Sequence, residues 1–369
     1  MKQITTSLSA FITDSLGLNL PSRAKVFAAI ETLGIGTAGG LLFLWAHLPG
    51  GLISGAMVAT GIAAIAGRPL AVPPILTQAV LVVLGISIGS VVSRQLIQHV
   101  SAYPLTIGLL ALATFCSTFA SSLYLRRVHG WDRTSAFLAG SPGALSQITI
   151  LAVERGADLP AIAVVQTMRV IILTAALPLV LAATGVAPAS TAGIAFPAAT
   201  PLQLVILVIA ALALALPLRV LRFPASWMFG AMIASSVLHG AGLVDGGVPP
   251  WVRSVALVGI GALIGSRFAR MKPRVLLGHI NAALGSFAVA IAISGAFVAI
   301  IALSTQVRLS DTVVAFAPGA MDAMLALALT LHIDPIFVGA HHLSRFVFVT
   351  IATPGIVHLF GRTQDDVDD

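Results

Sequence analysis

The chain has 369 residues, 58% of them hydrophobic and only 9% charged, with a mean hydropathy of +1.02. Globular domains carry about 25% charged residues, so a soluble protein is excluded and a polytopic membrane protein is implied. The net charge of +7 is not a nucleic-acid signature, because the basic residues stand singly or in small groups between apolar segments, where topology places them.

In chain order, residues 1–25 form a short N-terminal segment with Asp14 in a weakly apolar run and no small-residue cleavage site, so it reads as a surface segment and not a signal peptide. Twelve apolar segments follow, at about 26–46, 50–67, 72–93, 102–125, 132–153, 158–185, 200–218, 224–241, 248–267, 278–303, 310–331 and 334–361. Most have the ~20 residues that a bilayer crossing needs. Gly, Ala and Ser crowd many of them; Gly85 and Gly89 mark a Gly-xxx-Gly in the third, repeated as Gly261 and Gly265 in the ninth. Small residues let helices approach closely in lipid, and these two segments are candidates for a homodimer interface. The single cysteine, Cys116, excludes an intramolecular disulfide.

The sequence is duplicated. Val72 to Ser90 matches Val248 to Ser266 at nine of 19 positions with a shift of 176, and the Pro-Gly motifs Ser141-Pro142-Gly143-Ala144 and Ala317-Pro318-Gly319-Ala320 share that shift. So do Asp158 and Asp334, Arg169 and Arg345, and Pro178 and Pro354. The units are membrane repeat 1 (26–185), a linker rich in Ala, Pro, Thr and Gly (186–199), membrane repeat 2 (200–361) and an acidic tail (362–369). If all twelve segments cross, the Lys and Arg residues show no sidedness. If the Pro-Gly segments are re-entrant, fifteen basic residues share one side and only Arg94, Arg253 and Arg308 oppose them, with Arg169 and Arg345 set aside as buried. That asymmetry fits the positive-inside rule. The fold expected is an all-α integral membrane protein of two inverted-topology repeats, each with about five transmembrane helices and one Pro-Gly-broken hairpin, and with both termini cytoplasmic. A broken helix that crosses, paired with some other non-crossing segment, is the alternative.

A Pro-Gly break frees backbone N–H groups at the start of the second half-helix, around Ala144–Gln147 and Ala320–Ala323. Such an N-terminus attracts anions, although a kinked helix satisfied by its neighbours is also common. A buried arginine lies some eleven residues into each following segment, at Arg169 and Arg345. Each costs about 2.5–3.5 kcal/mol on insertion scales and must meet a polar cavity or partner. It either ties helices together through hairpin carbonyls or clamps an anion with its planar fork. Gln166 stands at i−3 of Arg169, and His341 and His342 at i−4 and i−3 of Arg345, all on the arginine's face. Asp322 matches Ser146 and either joins His341, His342 and Arg345 in a coupling site or neutralises Arg345 in a salt bridge. The candidate substrate-binding set is therefore Ser141, Pro142, Gly143, Ser146, Gln147, Gln166, Arg169, Pro318, Gly319, Asp322, His341, His342 and Arg345. Asp158 and Asp334 begin segments as N-caps do, and Glu31 sits near a segment end.

These motifs resemble the AbrB family of bacterial membrane proteins, over nearly the whole chain. The resemblance rests on Ser141–Ile148, on Gly156-Ala157-Asp158, on Gln166-x-x-Arg169, and on the second set Pro318-Gly319-Ala320, Asp334 and His341-His342-x-x-Arg345. It implies an internally duplicated protein of the bacterial inner membrane, with a role in regulating gene expression or as an ammonia monooxygenase. Relatives often carry an acid within the Pro-Gly motif, whereas this chain has Gln147 and Ala323 there, with Asp322 beside the latter.

Three functions compete. Inverted halves, paired broken helices and paired arginines point to a secondary transporter of a small anion. A membrane-embedded sensor would act on gene expression indirectly, since no soluble basic module for direct nucleic-acid contact is visible. A metal-dependent monooxygenase ranks third: it needs convergent ligands, and adjacent His341 and His342 point ~100° apart on a helix. No catalytic residue, cofactor or metal is expected; the partners expected are lipid and a small anion.

Overall fold

The computed structural model describes residues 23–90, 103–142, 145–186, 198–221, 223–271 and 273–360, and of these it leaves out the side chains of 145–147, 150, 270, 354 and 358–360. Every element named among the described residues is helical. The first half runs α1 (Arg23–Trp45), α2 (Gly51–Ile65), α3 (Pro74–Gly89), α4 (Tyr103–His129), α5 (Arg133–Gly140), α6 (Leu145–Glu154) and α7 (Leu159–Ala183). The second runs α8 (Pro201–Val220), α9 (Ser226–Gly240), α10 (Pro250–Gly265, extended by a 3₁₀ turn Ser266–Arg270), α11 (Pro273–Ser304), α12 (Leu309–Phe316), α13 (Met321–Thr330) and α14 (Pro335–Phe360). Helices α3, α5 and α6 reappear residue for residue as α10, α12 and α13 at the shift of 176. The repeat seen in sequence thus recurs in the placing of helix ends.

Local chemistry sets those ends. Proline opens α3, α8 and α10, where its missing N–H is not needed. Thr200 and Gln203 form a capping box on α8. Asp132 caps α5 through the Ser135 N–H, and Asp158 caps α7 through the Ala161 N–H. Asp334 accepts from the Ile336 and Phe337 N–H groups at the start of α14, so both capping aspartates play the role their positions imply.

Among the described residues, seven helices are long and apolar enough to cross a membrane: α1, α4, α7, α8, α10 with its 3₁₀ turn, α11 and α14. The protein is a multi-pass, all-α membrane protein. Of the ten crossings expected, the other three fall on α2, α3 and α9, which have 15, 16 and 15 residues. At 1.5 Å per residue they span roughly 22–24 Å, less than the ~30 Å of hydrocarbon. Helix α11, with 32 residues or roughly 48 Å, is longer than that thickness.

The two halves are interlocked. A methyl group at Gly85 or Gly89 of α3 would collide with the Met228 or Met232 carbonyl of α9. One at Gly261 or Gly265 of α10 would collide with the Ile53 or Met57 carbonyl of α2. Each half's second helix therefore lies against the other half's third helix, at backbone contact. This corrects the expectation that these glycine faces serve a dimer: their close approach is used within the chain.

The Pro-Gly segments turn back where they enter. The Asp158 N–H, just beyond α6, donates to Ser135 Oγ in the first turn of α5 at 2.8 Å. The Asp334 N–H, just beyond α13, donates to Asp311 Oδ1 in the first turn of α12 at 3.2 Å. The start of the first arm and the end of the second thus meet, so α5–α6 and α12–α13 are hairpins and not crossing helices. The hairpin of the second half is the more deeply set. Ala323 to Ala328 of α13 are fully buried, in a core with Ile53, Met57, Leu84 and Leu173. The first hairpin packs in a second core with Ile162, Val165 and Ala282.

Candidate functional site

Helices α7 and α14 start level with the hairpins and run beside their first arms. Eleven residues past Asp158, about 16 Å along α7, Arg169 reaches the tip of α5. Its Nη2 donates to the Ala139 carbonyl at 3.1 Å and to the Gly140 carbonyl at 3.3 Å. Gln166 Nε2 donates to the carbonyls of Leu138 and Ser141, both at 2.9 Å. The second half repeats the pattern at equivalent positions. Arg345 donates to Ala317 O at 2.6 Å and to Ala315 O at 3.0 Å, and His342 Nε2 lies 3.1 Å from Val314 O. Gln166 and His342 thus serve matched carbonyls with different side chains.

The physical reason is the helix break. The last carbonyls of α5 and α12 lose their partners where the chain turns extended, at Ser141 (ψ 120°) and at Ala317 (ψ 130°). In a membrane those carbonyls need donors, and a cation at a helix C-terminus is also favoured by the helix dipole. The carbonyl-tying role that the sequence held open for the arginines is present in both halves.

The arginines are not exhausted by it. Arg169 and Arg345 are 2% and 4% exposed. Arg169 Nε and Nη1 and Arg345 Nε have no hydrogen-bond partner among the described residues. Among the described residues the ion pairs are Arg68–Glu31, Arg267–Asp322 and Arg308–Asp311, none of which involves either buried arginine. Two like charges therefore lie buried with no carboxylate as counter-ion among the described residues.

The other expected site residues divide. Ser141 and Pro142 are buried at the first tip, beside Gln166 and Arg169. Gly143 lies outside the described residues, as do the side chains of Ser146 and Gln147, which fall on α6. At the second tip Pro318 is buried, and Gly319 faces Leu173 of α7, which brings the second hairpin against the first half's arginine helix. Asp322 does not form the salt bridge with Arg345. Its Oδ2 lies 4.0 Å from Arg267 Nη2 and its Oδ1 accepts the Ala323 N–H, so its ion pair is not with Arg345. The carboxylate also occupies one of the N-terminal donors of α13, so that helix end already carries an anion of its own. His341 gives its ring nitrogens to other partners, Nδ1 lying 2.7 Å from Phe337 O and Nε2 2.8 Å from Thr106 Oγ1 on α4, while its ring packs against Phe316 of α12 with centroids 6.0 Å apart. Adjacent residues on a helix diverge by ~100°, which is why the His342 Nε2 reaches a hairpin carbonyl and the His341 Nε2 reaches α4.

Two features escaped the sequence. The hairpin carbonyls are backbone groups and carry no side-chain signal. The residues that close the hairpins, Ser135 and Asp311, sit at matched positions but differ in type, so a search for identities passes over them. Asp311 accepts both Arg308 Nε, at 2.9 Å, and Arg308 Nη2, at 3.1 Å. No group of three or more His, Cys, Asp or Glu placed to hold a metal occurs among the described residues.

Comparison with known proteins bears on the same segments. The YhjN protein of Bacillus subtilis (strain 168), whose name gives it no function, is 28% identical over 308 residues, covering 77% of this chain and 79% of its own. An Escherichia coli (strain K12) protein named as an AbrB regulator is 24% identical over 317 residues, covering 85% of this chain and 91% of its own. The family described as transition state regulatory protein AbrB matches residues 52–361, from α2 through α14 and across both hairpins. The chain is a membrane protein of the AbrB family.

Proposed function

We propose that the protein is a secondary transporter of a small anionic solute, held between the two Pro-Gly hairpins by Arg169 and Arg345. The observation that carries this reading is the pair of buried guanidinium groups with unpartnered N–H groups and no acidic partner among the described residues. An unpaired charge at membrane depth is costly. An anion bound between the two forks would neutralise the charges and take up the free donors. Broken helices at the centre of duplicated halves are the usual setting for such a site. In this reading the halves have inverted topology, the membrane is the bacterial inner membrane, and both termini are cytoplasmic. Hairpins that do not cross leave an odd number of crossings in each half, as that inversion requires.

The test is uptake into proteoliposomes loaded with one labelled anion at a time, from small carboxylates to phosphate. Wild-type protein accumulates the substrate; Arg169→Gln and Arg345→Gln insert but do not transport. Equal uptake by either variant would contradict the reading. The name of the Escherichia coli relative favours a second reading, a membrane-embedded sensor acting indirectly on gene expression. A sensor would bind the anion without moving it across the bilayer, which the same vesicles distinguish.

A further inference from the structure

A groove of about 460 Å³ opens on the flank of the molecule, away from the hairpin tips. Its walls come from Cys116, Phe119 and Leu123 of α4, Phe137 of α5 and Ile293 of α11, and Arg126 and Arg133 stand at one end. Arg126 lies in the last turn of α4 and Arg133 in the first turn of α5, so the two share an end of the fold. From Arg126 to Cys116 is ten residues, or roughly 15 Å along the helix. That is the depth of about one leaflet of a ~30 Å hydrocarbon core. Phe115, 51% exposed, and Leu123, 44% exposed, mark this flank of α4 as open to the bilayer.

The arginine end is a polar mouth on an apolar slot. Both arginines are exposed, and neither forms an ion pair among the described residues. The nearby acid, Asp132, is occupied in accepting the Ser135 N–H. His129 is engaged with the Tyr124 hydroxyl at 3.2 Å. What fits is a molecule with a negative head and a long apolar tail lying along the helix.

We infer that the groove is a binding site for an anionic glycerophospholipid, with the phosphate between Arg126 and Arg133 and one acyl chain along Phe119, Leu123 and Ile293. Basic pockets between transmembrane helices bind such headgroups. The positive-inside count puts this end in the cytoplasmic leaflet. The site is separate from the hairpin arginines and does not depend on the transport reading.

The experiment is lipid binding to the full-length, detergent-purified protein, measured by native mass spectrometry during titration with phosphatidylglycerol or phosphatidylcholine, and with inorganic phosphate alone. Phosphatidylglycerol binds as a discrete adduct and phosphatidylcholine binds weakly. Arg126→Gln with Arg133→Gln weakens the adduct about 30-fold. Arg127→Gln, an exposed neighbour outside the groove, leaves it unchanged. Ile293→Trp, which fills the slot with both arginines intact, also removes it. An adduct that survives the double variant and the tryptophan would overturn the assignment. So would equal loss with Arg127→Gln, which would reduce the effect to general surface charge, or phosphate binding as tight as the lipid.

Discussion

The two hairpins use one scaffold to hold different chemistry. In each, an arginine eleven residues into the following helix donates to the last carbonyls of the first arm, and the residue three positions earlier serves a matched carbonyl. In the first half the supporting residues are the uncharged Ser135 and Gln166; in the second they are Asp311 and His342. The lesson is that the arginine–carbonyl clamp solves a problem common to both halves, the exposed end of a broken helix in lipid. The carboxylate at the closure and the imidazole at the carbonyl are additions to one half, while the buried guanidinium groups are common to both.

The largest expected effect falls on both halves alike. Arg169→Ala and Arg345→Ala each strand buried carbonyls at about 1–3 kcal/mol per group, so each variant loses roughly 2–4 kcal/mol of stability and all uptake. Denaturation in micelles together with vesicle uptake checks this. A variant silent in one half only would break the symmetry. Lysine at either position keeps the charge but not the planar fork, and it restores less uptake than stability. The glycine contacts come next. Gly85→Ala and Gly261→Ala each drive a methyl into a backbone carbonyl of the partner half, costing about 1–3 kcal/mol by overpacking. Nearly equal losses of melting temperature are expected, because the two contacts are counterparts.

The hairpin closures sharpen the comparison further. Ser135→Ala and Asp311→Ala each leave one backbone N–H, of Asp158 or Asp334, without its acceptor, at about 1–3 kcal/mol. Asp311 adds an ion pair to Arg308, whose side chain is 63% exposed. Solvent screening limits that addition to under about 1 kcal/mol. The excess cost of Asp311→Ala over Ser135→Ala is expected to vanish at high salt. The last effect belongs to the exchange Gln166→His with His342→Gln. Each new residue still offers a donor to the Leu138 or Val314 carbonyl, but a single imidazole N–H cannot also serve Ser141 O, so the exchange costs about 1–3 kcal/mol for that one carbonyl, as equilibrium unfolding measures.

Much of this arrangement was legible in the sequence because the repeat was. A shift of 176 aligned Pro142 with Pro318 and Arg169 with Arg345, and polar residues this deep in apolar segments announce a site by their cost. Side-chain direction was less legible. Spacing groups His341, His342 and Asp322, yet of the three only His342 serves a hairpin carbonyl; the His341 Nε2 is engaged by Thr106 and Asp322 by Arg267. Spacing fixes a residue's place on its helix but not which neighbour that face meets. The glycines of α3 and α10 failed for the same reason: a small-residue face states that something packs closely there, and only the fold shows that it is the other half of the same chain.

The most direct measurement is the thermal stability of purified protein across small carboxylates, phosphate, ammonium and divalent metals, repeated on Arg169→Gln and Arg345→Gln. A ligand that binds only the folded state adds about 2.7 kcal/mol at a hundredfold excess over its Kd. The shared-clamp account predicts that at least one anion raises the melting temperature and that either variant abolishes the rise. Stabilisation by ammonium or a metal that persists in both variants, with no anion acting, would contradict it.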